Sequence, residues 1–182
     1  QLEDFIKNKE KLSTLSTQKD EEIIKKLSSQ IIKFGGNPNI ENKDLKEIIK
    51  NLTRQLEQLN VNVVLKDKTR NIIKDEKIKD IMVRFQKVQD LPPKDLRKLV
   101  DSGKKELGDG IVIVFASSKD KVGLAVGITE KLIKKYDAVK FAQLGSEIIG
   151  GNGGGGRKDF AQAGGQNKNK IDEANKKLRD LI

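Results

Sequence analysis

Apolar positions in the first third of the chain recur at helical spacing. Leu45, Ile49, Leu52, Leu56 and Leu59 step by 4, 3, 4 and 3 residues, a narrow seam inside a helix expected over residues 41–60. Ile24, Leu27, Ile31 and Phe34 step by 3, 4 and 3, with Asp20 as a candidate cap, and Leu2, Phe5, Ile6 and Leu12 sketch an earlier stripe. The Ser13–Thr17 region predicts a break between those two, because Ser and Thr hydroxyls compete for helix hydrogen bonds. Gly35-Gly36-Asn37-Pro38-Asn39 stops the second stripe. Two stripes joined by a Gly/Pro turn predict an antiparallel helical hairpin. Packing of one helix on the other satisfies the seam, and so does a homodimer through the same arm.

The pattern changes after residue 77. Ile78–Val88 alternates as a strand, with Ile81, Val83 and Phe85 on one face. Leu91-Pro92-Pro93 opens a helix lined by Leu96, Leu99, Val100 and Leu107 and ended by Gly108. Ile111–Ala116 and Val122–Ile128 flank a polar turn and predict a buried hairpin. Asp137–Ile149 is a helix, and Asn167 caps a last one in which Ile171, Ala174, Leu178 and Leu181 face inward. Residues 61–77 read as either strand or helix, so the boundary falls there. The expected fold is α+β: a helical, coiled-coil-like arm over residues 1–77, then a small mixed-sheet α/β globular domain over residues 78–182.

Between the last two helices lies GGNGGGGRKDFAQAGG, residues 150–165, with eight of the sixteen glycines. That density predicts an irregular loop, since each glycine costs backbone entropy and supplies no side chain. A plain linker has nothing specific inside it, whereas this run holds Arg157, Lys158 and Asp159. Gly151, Gly153 and Gly156 formally satisfy the dinucleotide-binding spacing, but that motif must follow a strand and open a helix. A phosphate-binding P-loop needs Lys and Ser or Thr after its glycine, and Arg157 and Lys158 stand there instead. What survives is an anion site. Gly153, Gly154, Gly155 and Gly156 leave backbone N–H groups uncovered, Arg157 supplies a permanently charged fork, and Lys158 a mobile charge. Lys168 and Lys170 flank the loop and extend this candidate set for a sugar-phosphate backbone. Asp159, Gln162, Gly164 and Gly165 are expected to hold the loop, Gln162 by satisfying backbone groups. The competing reading is architectural: the glycines permit a tight crossing under the sheet while Arg157 pairs with Asp159.

Net charge sharpens this picture. The chain carries +10 in 182 residues, and +7 of it lies in residues 76–182. A basic excess around the glycines is the footprint of a nucleic-acid partner. There is no Cys and no His, which excludes disulfides, zinc sites of ordinary type and an imidazole base. No catalytic residue, metal ligand or cofactor site is expected in this chain. The longest apolar run, Ile111–Ala116, is far short of the ~20 residues of a membrane helix, so no membrane partner is expected and cytoplasm is the default.

The run from Gly153 to Gly165 resembles the C-terminal domain of bacterial alanyl-tRNA synthetases. Pro93-Lys94-Asp95-Leu96-Arg97, Gly103-Lys104-Lys105-Glu106-Leu107-Gly108 and Val126-Gly127-Ile128-Thr129 are similar to that family in order and spacing, and the likeness covers residues 78–182. Lys158 stands where the family commonly has Pro, and Phe160 where it has Met. The resemblance implies a non-catalytic part of an alanine–tRNA ligase that contacts the outer corner of tRNA and links aminoacylation with editing. Its implied partners are tRNA and the catalytic and editing domains of the same synthetase. A start at Gln1, without Met, fits such a fragment. The alternatives are a structural or dimerisation module, and the accessory domain of a DHH-type phosphoesterase, whose similar module carries a Gly-Gly-Gly-His motif where this chain has Arg157 after its glycines.

Overall fold

The computed structural model describes residues 2–41 and 44–182, with side chains from Ser13 onward. It divides into two compact units, with the boundary between Val63 and Val64.

The first unit is built on two helices, α1 (Leu2–Lys33) and α2 (Leu45–Lys66). The expected break at Ser13–Thr17 is absent, because the Thr17 hydroxyl donates to the Ser13 carbonyl (2.9 Å) and stays within the helical ladder. The stripe at Leu2, Phe5, Ile6 and Leu12 falls on side chains outside the described residues. Ile24, Leu27 and Ile31 of α1 pack in one cluster with Leu45, Ile48, Leu52, Leu56 and Leu59 of α2. The seam is therefore occupied from within the chain, and Phe34, expected in it, is 42% exposed. The chain turns at Gly35 (φ 77°), where Gly35 and Gly36 amides cap the carbonyls of Ile32 and Ile31. It then lies along the middle of α2, where the Gln55 amide donates to the Asn37 carbonyl at 2.6 Å. Residues 61–65 continue α2, which starts at Leu45 rather than at residue 41.

The second unit is a six-stranded mixed sheet: β1 (Asn71–Ile78), β2 (Ile81–Gln89), β3 (Gly110–Ser118), β4 (Lys121–Ile128), β5 (Gly154–Arg157) and β6 (Phe160–Gly165). Spatial order is β1-β2-β3-β4-β6-β5, with β2 and β3 parallel and every other pair antiparallel. The parallel pair needs a crossover, supplied by α3 (Leu96–Leu107) after a 3-10 turn at Pro93–Asp95. Helices α4 (Ala138–Ile148) and α5 (Ile171–Arg179) cover the other face, where Ile113, Phe115, Leu124 and Val126 meet Phe141, Ala142, Ile171 and Leu178. On the α3 side the approach is so close that a Cβ at Gly127 would stand 2.2 Å from Val100.

Three expectations change here. The strand read as Ile78–Val88 is the second half of a hairpin. Lys79 and Asp80 both take positive φ (46° and 68°), the geometry of a tight two-residue turn, without the Asn-Gly that would announce it. The boundary moves from residue 77 to Val63–Val64, because residues 71–77 form edge strand β1. Its charged run Lys74-Asp75-Glu76-Lys77 hides the strand pattern and blunts the open edge. The last helix ends at Arg179, so Leu181 lies beyond it and is 41% exposed while Ile182 is buried, and Asn167 caps the 3-10 turn Lys168–Lys170 that leads into α5. Among the described residues no helix is long and apolar enough to cross a membrane.

Strand β1 is tied down by charge. The buried Arg84 guanidinium on β2 donates to both Asp75 oxygens (2.7 and 2.8 Å) and to Glu106 of α3 (2.6 Å). The Arg84 hydrogen bonds hold the Asp75 carboxyl below its ordinary range, and Asp75 in turn holds Arg84 above its own. A carboxyl with a depressed folded pKa gives stability that is complete above the unfolded value and lost as pH falls through the folded one. The acid limb of unfolding, followed by circular dichroism, is expected to be shallower in Asp75→Asn than in the parent chain.

The remaining anchor is Ser146 on α4, fully buried. Its hydroxyl donates to the Gly164 carbonyl (2.7 Å) and accepts from the Gly153 amide (3.1 Å), so one side chain grips both ends of the β5–β6 segment. Ser146→Ala is expected to lower unfolding stability by about 1–3 kcal/mol in urea titration, because it strands buried backbone groups.

Candidate nucleic-acid interface

The Gly-rich stretch, expected as an irregular loop, is a β-hairpin at the edge of the sheet. Strand pairing offsets the entropy of its glycines, and the alternation of Ala161 and Ala163 gives it an inward face. Ala161, Ala163 and Gly165 lie opposite Val126, Leu124 and Val122 and share their α4 side. Phe160, Gln162 and Gly164 therefore lie on the α3 side, and Gly155 and Arg157 of β5 pair with Gln162 and Phe160 on that same side.

The glycines divide into two kinds. Gly156 takes φ 151°, and a Cβ there would stand 2.4 Å from the Phe160 carbonyl, so the hairpin itself demands it. Gly155 has ordinary φ and nothing within 4 Å of where its Cβ would be. The fold does not require a glycine at 155, and the result is bare backbone on an edge strand.

The hairpin turn is pinned from below: Ala138 N–H donates to the Lys158 carbonyl (3.0 Å) and Ile128 N–H to the Asp159 carbonyl (2.9 Å). Above it, the exposed Arg157 fork meets the two Asp159 oxygens at 3.1 and 3.3 Å, and the Lys158 side chain is exposed. Gln162 does not do what the sequence suggests. Its side chain is exposed, forms no hydrogen bond among the described residues, and lines a shallow depression of about 340 Å³ with Pro93, Lys94, Leu96 and Ala163. Ser146, which carried no signal beyond being a small residue in a helix, satisfies the backbone instead.

Helix α3 adds charges that sequence reasoning passed over. The Arg97 guanidinium lies 5.1 Å from the Phe160 ring centroid, and the Lys104 ammonium lies 3.5 Å from the Asp159 carbonyl. Lys94, Arg97 and Lys104 are spaced 3 and 7, one side of a helix, and that was the available signal. Lys168 and Lys170 do not join this group. They follow β6, at the opposite end from the Arg157–Lys158 turn, about 17–20 Å away at 3.3 Å per strand residue. Lys170 is paired with Glu173 (2.5 Å).

The domain that carries this arrangement is similar to known proteins. Over 90 residues, 49% of this chain, it is 48% identical to the alanine–tRNA ligase of Parvibaculum lavamentivorans, and over 96 residues, 52% of it, 42% identical to that of Bradyrhizobium diazoefficiens. The matches cover 10% and 11% of those proteins, so the chain spans about a tenth of the length of these curated relatives. The crystal structure of the C-Ala domain of Aquifex aeolicus alanyl-tRNA synthetase superposes with a TM-score of 0.57 at 28% identity, over 60% of this chain and 97% of that one. Residues 80–182, more than half of the chain and nearly all of its sheet and helices α3 to α5, match the DHHA1 domain, and the chain belongs to that family.

Proposed function

We propose that this chain is the C-terminal, tRNA-binding part of an alanine–tRNA ligase, and that its contact surface is the α3 side of the β5–β6 hairpin. The observation that carries the reading is the grouping there of Arg97, Lys104 and Arg157 around bare glycine backbone, with exposed Lys158 at the adjoining turn, in a domain similar to that of alanine–tRNA ligases. Such a surface suits phosphates and the shape of folded RNA better than bases, since Phe160, its one aromatic ring, lies beneath Arg97. The outer corner of tRNA is the partner the likeness suggests. Holding it would keep one tRNA bound while the catalytic and editing domains of the same synthetase act in turn.

Fluorescence titration with tRNA at two salt concentrations tests this. Arg157→Ala with Lys158→Ala is expected to weaken binding and to flatten the salt dependence by a slope of roughly 0.7–0.9 for each phosphate that is no longer neutralised. Thermal stability should change little, because exposed charge pairs contribute at most about 1 kcal/mol. Wild-type binding by that variant at physiological salt would make the hairpin architecture only.

The glycines give a separate check. Gly155→Ala is expected to keep the melting temperature and lose affinity for tRNA. Gly156→Ala is expected to lose stability by about 1–3 kcal/mol, the cost of a strained backbone region.

With neither Cys nor His, the purified chain is expected to catalyse neither ATP–pyrophosphate exchange nor hydrolysis of mischarged tRNA, checked by radiolabel assay.

A further inference from the structure

A second cavity, also about 340 Å³, opens on the α5 side of the sheet at the carboxyl ends of the parallel strands β2 and β3. It is lined by Lys87, Gln89, Ser117, Lys119, Lys168 and Asn169. The register places Gln89 directly beside Ser117, and the β3–β4 turn and the 3-10 turn before α5 bring Lys119 and Lys168 to the rim.

Two observations set it apart from a solvated lysine surface. Ser117 is only 8% exposed, and its hydroxyl has no hydrogen-bond partner among the described residues, although its carbonyl accepts from the Asp90 amide at 2.7 Å. At the wall of a polar cavity that hydroxyl is a donor and acceptor open to a ligand. The charges are also unequally used. Lys87 is held by Asp172 at 3.2 Å, and Asp90, the other acid at the cavity, lies 3.9 Å from Arg70. Lys119 and Lys168 form no ion pair among the described residues. What remains toward the cavity is these two ammonium groups, a hydroxyl and the amides of Gln89 and Asn169, beside the exposed Asp90 carboxylate with its long contact to Arg70. That is a donor-rich set for an anion with several acceptor oxygens.

We propose that this cavity binds a phosphate group, with Lys119 and Lys168 neutralising its charge and Ser117 bonding one of its oxygens. The volume leaves room for a sugar attached to that phosphate. Two sources share this chemistry, a free phosphate and a phosphodiester of an RNA backbone. The site lies at the opposite end of β6 from the Arg157–Lys158 turn and does not rest on the function proposed for the hairpin.

The test is amide chemical-shift titration of the isotopically labelled full chain with inorganic phosphate, and separately with folded tRNA, at ionic strength matched with sodium chloride. The expected result is saturable shifts at Ser117, Lys119, Lys168 and Asn169. Saturation by inorganic phosphate identifies the free anion as a ligand, and saturation by tRNA alone identifies an RNA phosphodiester. Lys119→Ala with Lys168→Ala should weaken that binding at least tenfold with an unchanged melting temperature, and Ser117→Ala several-fold. The hairpin variant Arg157→Ala with Lys158→Ala should leave phosphate binding here intact, which separates failure of this site from failure of the hairpin reading. Absence of saturable shifts with both probes, or unchanged binding in the double lysine variant, overturns the proposal.

Discussion

The close approach of the β5–β6 hairpin to helix α4 is the constraint on which the rest of this domain's edge depends. At Gly151 an added Cβ would stand 1.7 Å from the Gly164 carbonyl and 2.3 Å from the Ser146 hydroxyl, so backbone and one buried hydroxyl occupy the whole gap. The Ile149 carbonyl accepts from the amides of Gln166 and Asn167 at 3.0 and 2.9 Å, fixing the exit of the hairpin to the end of the same helix. A strand of three glycines and an arginine has little β-propensity of its own. It is a strand because α4 clamps its entry, β6 pairs its length, and Ala138 and Ile128 hold its turn.

This arrangement separates what the glycines do for the fold from what they leave for a ligand. On the α4 side the hairpin presents Ala161, Ala163 and tightly placed glycines, and nothing larger fits. On the α3 side the same strands present Gln162, Arg157 and the bare backbone of Gly155, with Arg97 and Lys104 standing over them from the crossover helix. One face is fixed by packing and the other is free to be chosen by a partner. The crossover itself is dictated by the parallel β2–β3 pair, so the topology that buries Ile113 and Phe115 also carries the α3 cations to the hairpin.

Much of this was legible in the residues. The alternation and continuous apolar run of β3 and β4, the stripe of α4 and the seam of α2 each report burial directly, because burial was what selected them. Elements held by something other than apolar burial were not legible. Strand β1 is an edge strand tied by the Asp75–Arg84–Glu106 network, and its charged sequence carries no period. The hairpin at residues 154–165 is held by backbone bonds and one serine, and composition alone says loop. At the site, Arg157, Lys158 and the open glycine were visible because charge beside glycine is unusual. Gln162 was misread because an amide in a tight segment can bond backbone or solvent, and only the register decides. Lys168 and Arg157 are eleven residues apart in sequence but are held at opposite ends of one strand, a separation no linear charge count reveals.

The Arg157–Asp159 pair bears on whether the hairpin is a ligand surface or only a braced turn. Arg157 is 70% exposed and Asp159 39%, so the pair sits in water and adds at most about 1 kcal/mol to the fold. Bracing therefore does not need it, since the turn is already held by the carbonyls of Lys158 and Asp159. What the pair does is bias a flexible guanidinium toward one orientation. Nε and one terminal nitrogen face Asp159, and the other terminal nitrogen is turned away from that carboxylate with its donors directed outward. A phosphate approaching over Gly155 would meet a donor already placed, and less side-chain entropy would be lost on binding. The acid beside the arginine lowers the local positive charge but raises the order of what remains. For a surface that must fit the shape of a folded RNA rather than attract any polyanion, order is the more useful of the two.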